Sequence, residues 1–386
     1  MLAGRIISAT HVAFGSTRVM ATCAAGGQAV GTAAALCLEH KCLPADLSSG
    51  EKLAELQLRL QRDGQFLPNK ILLDPTDLAT HATASASSQC VLSELPANDI
   101  WMGLESSCAM LVPLTVGTPP VFTIEVSVEE NKTLRMELLR SLKPGNFTPE
   151  ELLESIEIPL TRDSSHITAH FQAPIEKDAY YFVKLCEDPS VKVRLSDLRL
   201  SGVLCVTTAF NKAVAKSSVQ EPPTDIGIDR FEFWLPKRRP QGLNLAMTFD
   251  PPIDAFSAAN VIGGLSRPVN APNAWVADPA DAKPELHLNW SVPQSIARVQ
   301  IEFDPDWDHP MESVLMTHPE EIVPFMVKDF DLLDEAGNIL HSVRNHHGAL
   351  FQWSPEIPLV LKRLTLRVLC THGAPAAVFR FSCFAQ

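Results

Sequence analysis

Beyond residue 70 this chain has almost no helical periodicity, and that restricts its fold more than any other feature. Apolar residues recur every second position instead. Val121-Phe122-Thr123-Ile124-Glu125-Val126-Ser127-Val128 alternates apolar and polar residues, as a half-buried strand does. Tyr180 to Leu185 and Val191 to Leu195 read as further strands, with a turn at Glu187-Asp188-Pro189-Ser190. The 30 prolines favour short strands joined by turns. One helix is expected in this part, over Thr148-Pro149-Glu150-Glu151-Leu152-Leu153-Glu154. Thr148 can cap it, Pro149 suits its first turn, and the acidic residues suit its positive end.

The first seventy residues read differently. Leu2-Ala3-Gly4-Arg5 looks like the end of a buried strand entering a glycine turn. A polar loop follows through Ser8-Ala9-Thr10-His11 and Phe14-Gly15-Ser16-Thr17-Arg18. A helix of small residues then runs from Val19 to Leu38 and carries Gly26, Gly27 and Gly31. A glycine turn leading to a helix N-terminus lets backbone approach a ligand, and the free N–H groups there favour an anion or a carbonyl oxygen. Three other readings of the small-residue run stand beside this one. It is long enough for a membrane span with a Gly-x-x-x-Gly pattern, but Thr22, Gln28 and Thr32 interrupt it. As a signal peptide its core is spoiled by His11 and Arg18. As an ordinary buried Ala-rich helix it needs no ligand.

The order of these features resembles the closing segment of the FAD-binding domain in bacterial FAD-dependent oxidoreductases whose flavin domain carries C-terminal β-sandwich domains. The resemblance extends through Leu56 to Gln65, which is similar to the helix and turn leading out of that domain. It implies an FAD site. Gly4 and Arg5 would lie by the ribityl–phosphate region, and Ser16, Thr17, Arg18, Val19 and Met20 would face the isoalloxazine end. Gly27 and Gly31 would serve close packing. His11 is the one residue considered for a role near the flavin ring, with a buried structural histidine as the alternative. No Gly-x-Gly-x-x-Gly follows a strand anywhere, so the dinucleotide-binding turn is not in these residues. The expectation is the C-terminal part of a larger flavoprotein, with a missing N-terminal flavin domain or a partner subunit supplying the rest.

The expected fold class is mainly β: two β-sandwich domains, jelly-roll and galactose-binding-like, preceded by a strand–helix remnant of an α/β FAD-binding domain. The expected limits are 1–70 for the remnant, 80–245 for the first sandwich and 246–386 for the second. Between remnant and sandwich, Asp74 to Ala79 reads as a connector, and Ala82 to Ser88 opens the first strand-rich region. Strands from Leu286, Ala297, Phe325, Leu361 and Val378 onward, with a hairpin signal at Asp334-Glu335-Ala336-Gly337-Asn338, give the second sandwich the order of a discoidin-type domain.

Catalytic residues stay unassigned. Gly-x-Ser-x-Gly, His-Glu-x-x-His and a phosphate loop are all missing. Asp304, Asp306, Asp308 and His309 around Trp307 form an acidic loop that either is solvated or holds calcium; no metal site is assigned. Trp307, Arg344 and Asn345 are candidates for a sugar-binding tip, or for a contact with the flavin domain or another subunit. Adjacent His346 and His347 would point to opposite faces of a strand. The nine cysteines read as buried free thiols, and the ligand spacing of the iron–sulfur cluster in wider relatives is not present. A net charge of −13 argues against nucleic acid and against anionic membranes as partners. Free thiols favour the cytoplasm slightly and leave secretion open. The functional expectation is flavin-mediated redox on a small-molecule, carbohydrate-related substrate. A non-catalytic carbohydrate- or protein-binding module is the alternative.

Overall fold

The computed structural model describes residues 1–141, 148–208, 219–220, 231–232, 243–305 and 323–385. The expected acidic loop at Asp306, Trp307, Asp308 and His309 lies outside them. The chain divides into two compact units, Met1–Asp77 and Leu78–Gln386.

The first unit is helical. α1 spans His11–Thr17, α2 spans Met20–His40 and α3 spans Gly50–Arg62. α2 ends where Lys41 turns left-handed (φ 49) and the Cys42 N–H returns to the Cys37 carbonyl at 3.0 Å. α3 ends the same way. Gly64 supplies the left-handed residue (φ 82), and the Gln65 N–H reaches the Leu60 carbonyl at 2.9 Å. The core is small: Ala33, Leu36 and Leu47, with Cys37, Cys42 and Leu56 against them. Polar bonds support it. Arg59 binds both oxygens of Glu39 (3.0 and 2.7 Å) and reaches Glu55 at 2.7 Å. Arg62 holds the buried carboxylate of Asp74, which also accepts from the N–H and hydroxyl of Thr76.

The second unit is mainly β, two sandwiches of antiparallel strands. In the first, one sheet runs Asn244–Leu245, Asp188–Ser196, Val121–Val128, Met247–Ile253 and Leu92–Leu95. Trp101–Leu104 pairs with Asp188–Ser196, and His166–Ala169 pairs with Val121–Val128. The facing sheet runs Leu204–Thr207, Cys108–Leu114, Ala179–Leu185, Lys132–Arg140 and Glu151–Leu160. Val121–Val128 alternates as expected: Phe122, Ile124, Val126 and Val128 are buried, and the residues between them are not. Phe122 sits edge-on to Phe171 and Phe249, with centroids 6.1 and 6.0 Å away. The helix expected at Thr148–Glu154 is instead a strand, Glu151–Leu160, paired along its length with Lys132–Arg140. Cross-strand pairing overrides the local cap signal there.

In the second sandwich, Thr83–Ala86, Glu285–Ile296, Leu359–Thr371, Val327–Leu333 and Ile339–Val343 form one sheet. Trp275–Val276, Ala377–Phe384, Arg298–Phe303 and Leu350–Trp353 form the other. Thr83–Ala86, expected to open the first sandwich, pairs with Leu286–Asn289 of the second. Met247–Ile253, expected to open the second, pairs with strands of the first. The first sandwich is thus inserted into the second, and the two crossings lie side by side where the Gln89 amide donates to Asp254 at 2.7 Å. Two buried tryptophans fix the entry segment. Trp275 Nε1 donates to the Ser88 carbonyl (2.9 Å) and Trp290 Nε1 to the Leu78 carbonyl (2.8 Å).

The four-stranded sheet is buried on both faces. Val299, Ile301 and Phe303 enter the core of the second sandwich. Ala274, Val276, Ala377 and Phe379 pack into the core of the first. Between these apolar rows run Gln300, Glu302, Arg380 and Ser382, all buried. Arg380 binds Glu302, and Gln300 donates to the same carboxylate at 3.3 Å. Burial pushes the Glu302 carboxyl above its usual range, with Arg380 opposing.

Candidate functional site

The N-terminal segment contains every residue expected to meet a cofactor. Leu2 and Ala3 do not form a strand. The backbone makes one 3₁₀ turn over Gly4–Ile6, with Gly4 left-handed (φ 77), and this turn packs against α2. A strand of three residues needs a neighbour to pair with, and none is among the described residues. The expected loop from Ser8 to Arg18 is partly helical. Thr10 caps α1, its hydroxyl accepting from the Ala13 N–H at 3.3 Å.

His11 is the first residue of α1 and exposed; among the described residues it makes no hydrogen bond or ion pair. Arg5 and Ser16 are also exposed. Arg18 lies 5.7 Å from the centroid of the Phe14 ring. Val19 is extended, separates α1 from α2, and offers no side-chain cap. The first intrahelical bond of α2 runs from the Cys23 N–H to the Val19 carbonyl at 3.0 Å. The N–H groups of Met20, Ala21 and Thr22 therefore precede it without an intrahelical acceptor. The first turn of α2 has no acidic residue. Thr17, Arg18, Val19 and Met20 thus gather at the positive end of a 21-residue helix.

α2 is largely exposed, with Ala33 and Leu36 its buried residues. By length and composition alone it could cross a membrane. A Cβ added at Gly26, Gly27 or Gly31 would meet nothing within 4 Å. The close packing expected at Gly27 and Gly31 is not made here; the small-residue face is open.

The other expected site residues have structural partners. Arg344 donates to the Phe330 and Val343 carbonyls (3.0 and 2.7 Å) and pairs with Asp331 at 2.8 Å. The Asn345 N–H donates to Asp329 at 2.8 Å. The His346 ring packs on Phe303, Phe330 and Phe351, and burial lowers its pKa. Its carbonyl accepts from His372 Nε2 at 2.9 Å. Asp304 is buried. All nine cysteines are free, but the expected burial holds only for Cys90, Cys108, Cys186, Cys205 and Cys383; Cys23, Cys37 and Cys42 are half-buried and Cys370 is exposed. The Cys90 thiol is pushed up to about 12 by burial.

Sequence reasoning missed a row on the outer face of the first sandwich. Trp101 lies opposite Arg194 in register, and Glu125 opposite His166. Arg194 joins the two pairs. Its Cζ is 5.0 Å from the Trp101 ring centroid, and its Nε is 3.5 Å from a Glu125 oxygen. Beside the row is a cleft of about 180 Å³ lined by Glu94, Thr123, Glu125, His166, Met247 and Thr248. Alternation in Val121–Val128 already marks Glu125 as outward-facing, but no local signal aligns four distant strands. A larger cleft of about 270 Å³ holds Asp278, Asp281, Cys370 and Thr371, but its Asp281 carboxylate is engaged by the Ser87 and Ser88 hydroxyls (3.0 and 2.7 Å).

Comparison with known proteins gives partial matches. The profile of the family described as FAD dependent oxidoreductase matches residues 1–60. No curated protein matches the chain. Among solved structures, the family 32 carbohydrate-binding module from Streptococcus pneumoniae EndoD is similar at 15% identity, covering 35% of this chain and 88% of that one, with a TM-score of 0.27. The family 32 module from C. perfringens NanJ, in complex with galactose, is similar at 10% identity over 34% of this chain and 88% of that one, TM-score 0.26. A chitosan-binding module from a Paenibacillus sp. IK-5 chitosanase/glucanase gives 10% identity, the same two coverages and a TM-score of 0.26.

Proposed function

We propose that the first unit is the closing segment of an FAD-binding domain, and that the complete protein is an FAD-dependent oxidoreductase. The family match over residues 1–60 carries this reading. The local geometry fits a flavin. The uncapped start of α2 offers N–H groups to an acceptor oxygen, Gly4 permits close backbone approach, and the glycine face of α2 has room for a neighbour. When bound, the flavin supplies two-electron redox chemistry. The N–H groups of Met20, Ala21 and Thr22 orient an acceptor edge, and Arg18 adds positive charge beside them. His11 is the titratable group here that could hold or move a proton, at its imidazole. The remaining strands of such a domain come, on this reading, from another segment or a partner chain.

The natural protein containing this unit, purified without added cofactor, is expected to retain FAD, seen by absorbance and by release on denaturation. A natural protein that lacks flavin and takes up none on titration overturns the proposal. A β-sandwich binding module is the second reading, favoured by the aromatic and polar row of Trp101, Arg194, Glu125 and His166.

A further inference from the structure

We propose that the outer face of the first sandwich binds a neutral oligosaccharide, with one ring in the Glu94–Glu125–His166 cleft and the next over Arg194 and Trp101. The proposal does not depend on the flavin reading. Four observations carry it. Trp101 is 39% exposed, and it offers an apolar surface to the C–H face of a sugar ring. Arg194 is held against that ring yet incompletely used. Its Nε lies 3.5 Å from Glu125 and its Nη2 3.7 Å from Asp99, both long contacts, while the side chain is 21% exposed. Glu125 has no closer partner among the described residues. His166 is fixed through Nδ1 by the Ser165 hydroxyl at 2.9 Å, which leaves Nε2 for another group.

The chemistry selects a ligand rich in hydroxyl donors. Among the described residues the cleft is lined by two carboxylates, two threonine hydroxyls and an imidazole, and by no lysine. At about 180 Å³ it is smaller than a drug-sized pocket and suits a single ring. A peptide adding as a strand is disfavoured, since Val121–Val128 is already paired with His166–Ala169 on one side and with Asp188–Ser196 and Met247–Ile253 on the other. A polyanion would meet Glu94 and Glu125 on a chain of net charge −13.

The test is calorimetric titration of the full chain with lactose, cellobiose and maltose. At least one disaccharide is expected to bind saturably, with affinity insensitive to salt. Trp101→Ala and Glu125→Gln should each weaken it by about tenfold. Ser127→Ala, on the same face but outside the row, should leave it unchanged. Circular dichroism checks that each variant folds, and the isosteric Glu125→Gln preserves the strand if Trp101→Ala does not. The proposal is overturned if none of the three sugars binds up to about 20 mM, near the weak end of specific affinity. It is overturned equally if binding survives in folded variants, or if it falls steeply with salt.

Discussion

Removing Arg380 leaves the Glu302 carboxylate buried without its hydrogen-bonded charge partner, with Arg267 a remaining cation acting on it, and the cost can be worked from the structure. Their side chains are 3% and 6% exposed, and they are register partners on adjacent strands. Breaking a buried pair from one side costs about 3–5 kcal/mol, whereas replacing both partners with apolar groups is often nearly neutral. Arg380→Met should therefore destabilise the second unit by about 3 kcal/mol or more. Adding Glu302→Leu should restore most of that loss, a non-additivity expected for groups in contact. With a urea slope of about 3 kcal/mol/M, the single variant moves the midpoint down by about 1 M. The pH dependence adds a second check. Burial already raises the Glu302 pKa in the folded state, and removing Arg380 raises it further. A carboxyl with a raised folded pKa favours folding below its unfolded pKa and loses that contribution as pH rises through the folded value. The deficit of Arg380→Met should accordingly be smaller near about pH 4 than near about pH 7. Urea melts of wild type and both variants at the two pH values decide it. A deficit under about 1 kcal/mol at neutral pH, or one independent of pH, refutes the reasoning.

Three further outcomes are expected. Phe122→Ala, which empties the aromatic contact with Phe171 and Phe249, should cost about 3–5 kcal/mol in the same melts. Asp74→Ala strips Arg62 and Thr76 of their shared acceptor and should cost the first unit about 1–3 kcal/mol by helix circular dichroism. Burial acts to raise the Asp74 pKa, but the bonds from Arg62 and Thr76 outweigh it and hold it below the usual range. The wild-type contribution is thus full above the unfolded pKa and fades as pH falls through the folded one. On the proposed flavin reading, Arg18→Ala in the natural protein containing this unit should lower FAD occupancy or make the flavin potential more negative, measured by absorbance and redox titration; no change in either removes Arg18 from the site.

What could be read from the chain was whatever is encoded locally. The alternation of Val121–Val128 and the small-residue helix, expected from Val19 to Leu38 and found at Met20–His40, are periodicities within one element. The hairpin at Asp334–Asn338 is also local, its Asp334 carboxylate accepting from the N–H groups of Ala336 and Asn338 at 2.9 and 2.8 Å. Glu151–Leu160 deceived because cap residues act locally while its partner strand does not. At the candidate flavin site, the residue types at the α2 start were legible. The helical turn of His11–Thr17 was not, since Thr10 competes as a cap with a loop of the same composition. The Trp101 row was invisible because register between distant strands has no sequence signature.

The side-by-side crossings at Gln89 and Asp254 set an order in time. Asn289 follows its partner Thr83 by 206 residues. At a ribosomal pace of about 5–20 residues per second, that first strand waits about 10–40 s for its neighbour. The two sheets of the inserted sandwich are contiguous in sequence and can form during the interval, although Ala377 and Phe379 complete its core only at the end. The outer sandwich cannot, because its last strand, Ala377–Phe384, supplies the centre of its four-stranded sheet. A nascent chain stalled before residue 377 would therefore hold one domain with its sheets formed but one flank of its core uncovered, and one open sheet, a state that chaperones or aggregation would compete for.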